Sequence, residues 1–211
     1  MISNVTETIK YIGVDDTTID LFESQYIVPN GISYNSYLIM DEKIAIMDTV
    51  DLRKGEEWFA NLEEALEGRT PDYLVVQHME PDHAGNIANL LAKYPTIKIV
   101  ASAKAIQMMP QFFVDTCFEG KTIAVKEGET LNLGTHTLQF FMAPMVHWPE
   151  VMVTYDQLDK ILFSADGFGK FGALTHEEDW TCEARRYYFN TGPLSGQIQV
   201  MSRVAAFFKS T

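Results

Sequence analysis

Apolar and polar positions alternate early in the chain, where Ser36–Met40 and Ile44–Met47 flank the polar turn Asp41-Glu42-Lys43 and predict paired strands. The period then changes. From Lys54 to Leu66 the apolar residues Trp58, Phe59, Leu62 and Leu66 recur at helical spacing, and Gly68 marks the stop. Next, short apolar runs alternate with helical patterns. They predict a strand over Tyr73–Val76, a helix over Asn86–Lys93 halted before Pro95, a strand over Lys98–Ala101 and a helix over Ala103–Phe113. Alternation of this kind predicts a mostly parallel sheet covered on both faces. After Lys121 the pattern predicts hairpin-like strands at Thr122–Val125, Glu129–Leu133, His136–Met142, Val151–Tyr155 and Ile161–Ser164. Helices are expected last, over Glu178–Asn190 and Leu194–Lys209. Two sheet blocks with helices outside predict an α/β sandwich of four layers, in one continuous domain over residues 1–211.

Composition narrows the function classes. With 46% hydrophobic and 21% charged residues, the chain can bury an ordinary globular core. Acids outnumber bases 29 to 16, for a net charge of -13, which argues against nucleic acid as a partner. A solvated acidic surface accounts for most of that imbalance. No apolar run approaches the length of a membrane span, and the first residues lack the basic and apolar regions of a signal peptide. The expectation is a cytoplasmic protein with no membrane partner. Cys117 and Cys182 lie far apart with no CxxC spacing, and both are expected to be buried free thiols.

The chemistry concentrates in His78-Met79-Glu80-Pro81-Asp82-His83, directly after the strand expected at Tyr73–Val76. Open α/β sheets place functional loops at the carboxyl ends of their strands. Four ligand-type side chains at i, i+2, i+4 and i+5 close poorly around one ion. They can offer His78 and Glu80 to one metal and Asp82 and His83 to a neighbour. Pro81 stiffens the loop, and Gly85 permits a tight turn into the next helix. His147 and Asp166 also follow expected strands, beside Pro or Gly. Alone, His147 reads as a hydrogen-bonded loop histidine and Asp166 as a turn residue; with the first loop, both read as metal ligands. His136, in Gly134-Thr135-His136-Thr137, reads as a surface residue.

His-x-Glu-x-Asp-His followed by a distant His and a distant Asp resembles the diiron domain of the flavodiiron proteins, the A-type flavoproteins, whose fold is a metallo-β-lactamase-like αβ/βα sandwich. The segments Ser33-Tyr34-Asn35-Ser36-Tyr37, Pro81-Asp82-His83-Ala84-Gly85, His147-Trp148-Pro149 and Glu183-Ala184-Arg185-Arg186-Tyr187-Tyr188 strengthen the resemblance, which covers essentially the whole chain. It implies that His78, Glu80 and His147 bind one iron, that Asp82 and His83 bind the other, and that Asp166 bridges them. Tyr26 and Trp148 would line the pocket, although ordinary aromatic packing explains each equally well. Related zinc hydrolases usually carry His at the position of Glu80. A carboxylate there makes the ligand set harder and more anionic, which favours iron and redox chemistry over hydrolysis.

The resemblance implies reduction of dioxygen to water, or of nitric oxide to nitrous oxide, with electrons from FMN. In the family the FMN sits on a following flavodoxin-like domain, an electron-transfer protein such as rubredoxin feeds it, and a head-to-tail homodimer is common. The family's last histidine ligand and the flavodoxin-like domain have no counterpart before Thr211. The sandwich is therefore expected to be incomplete at its C-terminus, the chain being a fragment or one part of a split protein with a complementing C-terminal piece. His176 is an alternative source of the missing ligand. The competing functions are a flavin-free diiron oxygen sensor and a metallo-hydrolase, the latter disfavoured by Glu80.

Overall fold

The structure is a computed structural model that describes residues 2–167 except 23 and 25, together with 172, 173, 205 and 206. The first elements are strands β1 (Ser3–Asn4) and β2 (Ile9–Tyr11). Two short ribbons follow, β3 (Val14–Asp16) with β6 (Ile32–Tyr34), and β4 (Leu21–Phe22) with β5 (Tyr26–Ile27). The expected hairpin forms as β7 (Tyr37–Ile39) and β8 (Ala45–Met47), antiparallel. Helix α1 (Gly55–Leu66) stops at Glu67, whose φ of 53° is left-handed, and Gly68 follows at φ 83°. Then come β9 (Tyr73–Val76), the single turn α2 (Pro81–Ala84), α3 (Ile87–Lys93), β10 (Lys98–Ser102), α4 (Ala103–Phe112) and β11 (Thr122–Val125).

Strands β8, β9, β10 and β11 run parallel, inside a seven-stranded sheet of order β1-β2-β7-β8-β9-β10-β11. This corrects the expectation of a hairpin for Thr122–Val125. A strand reached through a helix arrives as a crossover, and α4 delivers β11 parallel to β10. The remaining expected strands form a second sheet from β12 (Thr130–Asn132), β13 (Thr137–Met142), β14 (Met152–Asp156) and β15 (Ile161–Phe163), all antiparallel. Ala205–Ala206 pair with β15 as β16 and meet its open edge, so the helix expected over Leu194–Lys209 is not continuous. The rest of that helix, the helix expected over Glu178–Asn190 and His176 lie outside the described residues.

Side-chain alternation divides the first sheet between two cores. Leu38, Ile46, Leu74, Val76, Ile99 and Ala101 face the helices, meeting Trp58, Leu62, Ile87, Leu90 and Met109. Tyr37, Ile39, Ala45, Met47, Val75 and Val100 point the other way, onto Leu138, Phe140, Met152, Ile161 and Phe163 of the second sheet. Helix, sheet and sheet are thus three stacked layers of the expected four among the described residues. At one edge the layers are tied directly, because the Met152 N–H donates to the Gln77 carbonyl at 3.0 Å. That edge carries the site.

Two side chains differ from expectation. His136 is buried, with Nδ1 3.1 Å from Asp156 Oδ1 and Nε2 2.9 Å from Thr8 Oγ1. A histidine in a turn-like sequence is taken inside here because it joins the second sheet to the N-terminal segment. Cys117 is exposed, in the irregular chain between α4 and β11, and Cys182 lies outside the described residues.

Candidate metal centre

Because β8, β9 and β10 are parallel, their carboxyl ends coincide, and Asp48, His78 and Ser102 emerge together. The chain after β9 stays extended through Glu80, then Pro81 opens α2 with Glu80 as its N-cap residue at φ -60°, ψ 144°. Proline suits this first helical position, where no N–H partner is needed. Asp82 and His83 therefore ride on a helical turn rather than on an extended stretch, and their side chains separate from His78 and Glu80. The His83 carbonyl is held by the Thr49 N–H at 2.7 Å and by Thr49 Oγ1 at 2.8 Å. Gly85 has an ordinary helical φ of -57°, so it is not needed for backbone freedom. Its role is close approach, since a Cβ there would lie 2.7 Å from the Leu52 nitrogen and 2.7 Å from the Pro81 carbonyl oxygen.

The second sheet supplies the other residues: His147 from the segment between β13 and β14, and Asp166 just after β15. Asp166 stands between two groups of donors. Its Oδ2 lies 3.1 Å from His78 Nε2 and 3.1 Å from His147 Nε2, while its Oδ1 lies 2.8 Å from His83 Nε2. Glu80 Oε2 completes the first group, 3.0 Å from His78 Nε2 and 2.8 Å from His147 Nε2. Asp82 Oδ2 lies 3.6 Å from His83 Nε2 in the second. Within each group, His78–Glu80–His147–Asp166 and Asp82–His83–Asp166, one donor atom per residue falls within 4.8 Å of the others. All six residues named from the sequence meet here. Trp148 stands edge-on to His78, ring centres 5.2 Å apart, and Tyr26 lies in β5, half-buried against the outer core.

Sequence reasoning missed two carboxylates. Glu150 Oε1 accepts hydrogen bonds from His78 Nδ1 at 2.7 Å and from the Met79 N–H at 2.9 Å. Asp48 Oδ2 lies 3.3 Å from His83 Nδ1, and the same carboxylate accepts the Gln77 N–H at 2.7 Å. Asp48 follows β8 as His78 follows β9, so the rule of strand ends applied to it equally. Glu150 had no such signal, because its link to His78 spans the two sheets.

The electrostatics strain toward a cation. Glu80, Asp82, Asp166, Asp48 and Glu150 are five buried carboxylates facing three imidazoles. Even with every imidazole protonated, two negative charges would remain, and buried charge must be paired or coordinated. Asp82 shows the strain most plainly. Burial, with Asp166 and Glu80 nearby, pushes its carboxyl up to about 7, and its Oδ1 is buried without a hydrogen-bond partner. His78 is raised to about 11: burial opposes its charge, but Asp166, Glu150 and Glu80 outweigh it. Asp166 and Glu80 raise His147 to about 9. Burial works against charge on Asp166 too, yet the three histidines hold its carboxyl well below the usual range. The arrangement can therefore bind protons or metal cations on the same lone pairs. Mixed imidazole and carboxylate donors around a shared aspartate fit a pair of first-row transition-metal ions.

A third group, His136–Asp156–Asp159, is occupied internally. Asp156 accepts the Asp159 N–H at 2.9 Å and pairs with His136, which makes it the brace of a hairpin turn.

Stacked sheets with imidazoles and carboxylates gathered at their common edge define the β-lactamase-like class. The ODP family beta lactamase matches residues 32–197, and the chain belongs to that family. It is 40% identical over 151 residues to the diflavin flavoprotein A 1 of Synechocystis, covering 71% of this chain and 26% of that one. It is 37% identical over 199 residues to the anaerobic nitric oxide reductase flavorubredoxin of Pectobacterium atrosepticum, covering 90% and 39%. The chain thus spans well under half the length of these relatives. Among solved structures, the flavodiiron protein from Giardia intestinalis superposes with a TM-score of 0.78 at 29% identity, over 87% of this chain and 44% of that one. The rubredoxin oxygen:oxidoreductase from Desulfovibrio gigas does so with a TM-score of 0.78 at 32% identity, over 83% and 43%. No helix among the described residues is long and apolar enough to cross a membrane.

Proposed function

We propose that this chain is the diiron module of a reductase that takes dioxygen to water or nitric oxide to nitrous oxide. The single observation that carries the reading is Asp166, whose two oxygens each face a separate set of donors. His78, Glu80 and His147 would hold one iron, Asp82 and His83 the other, with Asp166 shared. The fit rests on the donor set, on the excess of buried carboxylates and on the unpartnered Oδ1 of Asp82. A pair of irons supplies reversible one-electron chemistry at two adjacent ions, which a diatomic substrate requires. Glu80 favours iron, because a carboxylate in the place of an imidazole hardens the set.

The chain's own residues would shape the approach to the irons. Trp148 lies against His78, and the Phe112 ring is 6.2 Å from that of Trp148, so the two rings would give small uncharged gases an apolar flank. Electrons would come from FMN on another domain or chain, in keeping with the flavoprotein and flavorubredoxin names of its relatives. The Desulfovibrio gigas relative's name makes a rubredoxin the natural donor class, and a head-to-tail homodimer or a complementing fragment would bring the flavin near the irons.

Iron analysis together with Mössbauer spectroscopy tests the reading: about two coupled irons per chain are expected. Anaerobically reduced protein given dioxygen or nitric oxide and a flavin donor should turn over. Iron uptake without turnover, but with persistent binding of dioxygen, would point to sensing instead. Zinc uptake with hydrolytic activity would sink the proposal.

A further inference from the structure

We infer that Glu150 is a positioning residue for the candidate metal centre: from the opposite sheet its carboxylate grips His78 Nδ1, directs Nε2 toward Asp166, and makes that imidazole the stronger donor of the two on the loop. The inference rests on the reading of this cluster as a metal centre.

Both loop histidines are built on one plan. Each offers Nε2 to a different oxygen of Asp166 and turns Nδ1 toward a carboxylate from elsewhere in the chain. A carboxylate on the far nitrogen fixes the tautomer and raises the basicity of the ligating nitrogen. The two supports are unequal. Glu150 approaches His78 at 2.7 Å, whereas Asp48 stands 3.3 Å from His83. Asp48 also accepts the Gln77 N–H at 2.7 Å and Gln77 Nε2 at 3.2 Å, so its charge is spread over three donors. Glu150 takes His78 and the Met79 N–H on one oxygen, and its buried Oε2 has no hydrogen-bond partner. Its charge is therefore directed mainly at His78.

Glu150 is also rigidly placed. Its carbonyl accepts Ser102 Oγ at 2.7 Å, and the same Ser102 oxygen caps α4 by accepting the Ala105 N–H at 3.1 Å. Two residues on, the Met152 N–H is bonded to the Gln77 carbonyl at 3.0 Å. The backbone that carries the carboxylate is thus anchored to the end of the strand before the loop and to the residue that caps the helix beside it. An ion held by His78, Glu80 and His147 is bound more tightly, and its oxidised state favoured more strongly, than it would be without this residue.

Glu150→Gln separates charge from position, because a glutamine oxygen can still accept from both His78 and Met79. The probe is iron. In the variant, release of one iron to a chelator should become about 10- to 100-fold easier. Its reduction potential should rise, with one of two Mössbauer components altered and the other kept. Wild-type affinity and potential in Glu150→Gln would overturn the inference, as would equal weakening of both irons. If the variant does not fold, the zinc-loaded wild type provides the test. Nitrogen-edited NMR should show His78 protonated at Nδ1 with a strongly deshielded proton, and an unprotonated Nδ1 would overturn the inference. A wild type that takes up no metal removes the metal-centre reading and this inference together. Two bound irons with an unaffected variant remove this inference alone.

Discussion

Asp166 Oδ1 lies 2.8 Å from His83 Nε2, although 83 residues separate them, and the other oxygen of the same carboxylate faces His78 and His147. One side chain from the second sheet thereby joins two donor sets from the first. Removing it should be more damaging than removing any donor confined to one set.

Asp166→Ala is therefore expected to bring iron content below one per chain, while Asp82→Ala leaves about one. Activity in Asp166→Ala should fall by more than the roughly 10- to 100-fold typical for losing an outer hydrogen-bond partner of a metal ligand. Metal analysis of the two variants side by side checks this. Equal retention of iron would remove Asp166 from its bridging role.

The raised histidines predict an unusual pH dependence after metal removal. His147 titrates at about 9 and His78 at about 11, both above the ordinary 6.5 of an unfolded chain. The folded state then holds more protons than the unfolded one over that interval, so stability falls as pH rises. This contribution is complete below about pH 6.5 and is lost as pH climbs through about 9 and then 11. Chelator-treated protein should show a melting temperature that declines from pH 7 to 10, and metal-loaded protein a flatter profile. A rising or level profile in the stripped protein would contradict the assignment.

Gly85→Ala should destabilise the protein by about 1–3 kcal/mol, the usual cost of overpacking. The added methyl meets the backbone of Leu52 and Pro81 at 2.7 Å, and backbone cannot swing aside as a flexible side chain can. Denaturant unfolding measures the cost. Since α2 carries Asp82 and His83, iron affinity should drop in the same variant.

Trp148 offers a spectroscopic reporter. Its ring lies 5.2 Å from that of His78, close enough for a bound iron to quench its emission. Loading the wild type should dim tryptophan fluorescence, and Trp148→Phe should abolish most of that change while retaining iron. Trp58, on α1 and buried against the first sheet, should contribute little to it. Undiminished quenching in the variant would show that another tryptophan is nearer.

Much of the architecture was legible because it follows from local periodicity. The stretch Tyr73–Val76 is entirely apolar but for its first ring, and α1 buries Trp58, Leu62, Ala65 and Leu66 along one stripe. Thr122–Val125 was misread because an isolated apolar strand does not say which neighbour it will join. His136 and Cys117 were misjudged for a related reason: burial is decided by what packs above a residue, not by the residues beside it.

By itself the sequence determined the strand-and-helix order, and it determined the loop from His78 to His83, since the spacing of four ligand-type residues is a property of adjacent positions. Tertiary structure alone decided that Asp166 stands between two donor sets. It alone placed Glu150 and Asp48 behind the histidines. Those relationships join residues 83, 72 and 35 positions apart, and they exist only once two sheets stack and their edges coincide. Local pattern encodes the faces that are buried. The contacts made across those faces depend on the packing of the whole chain.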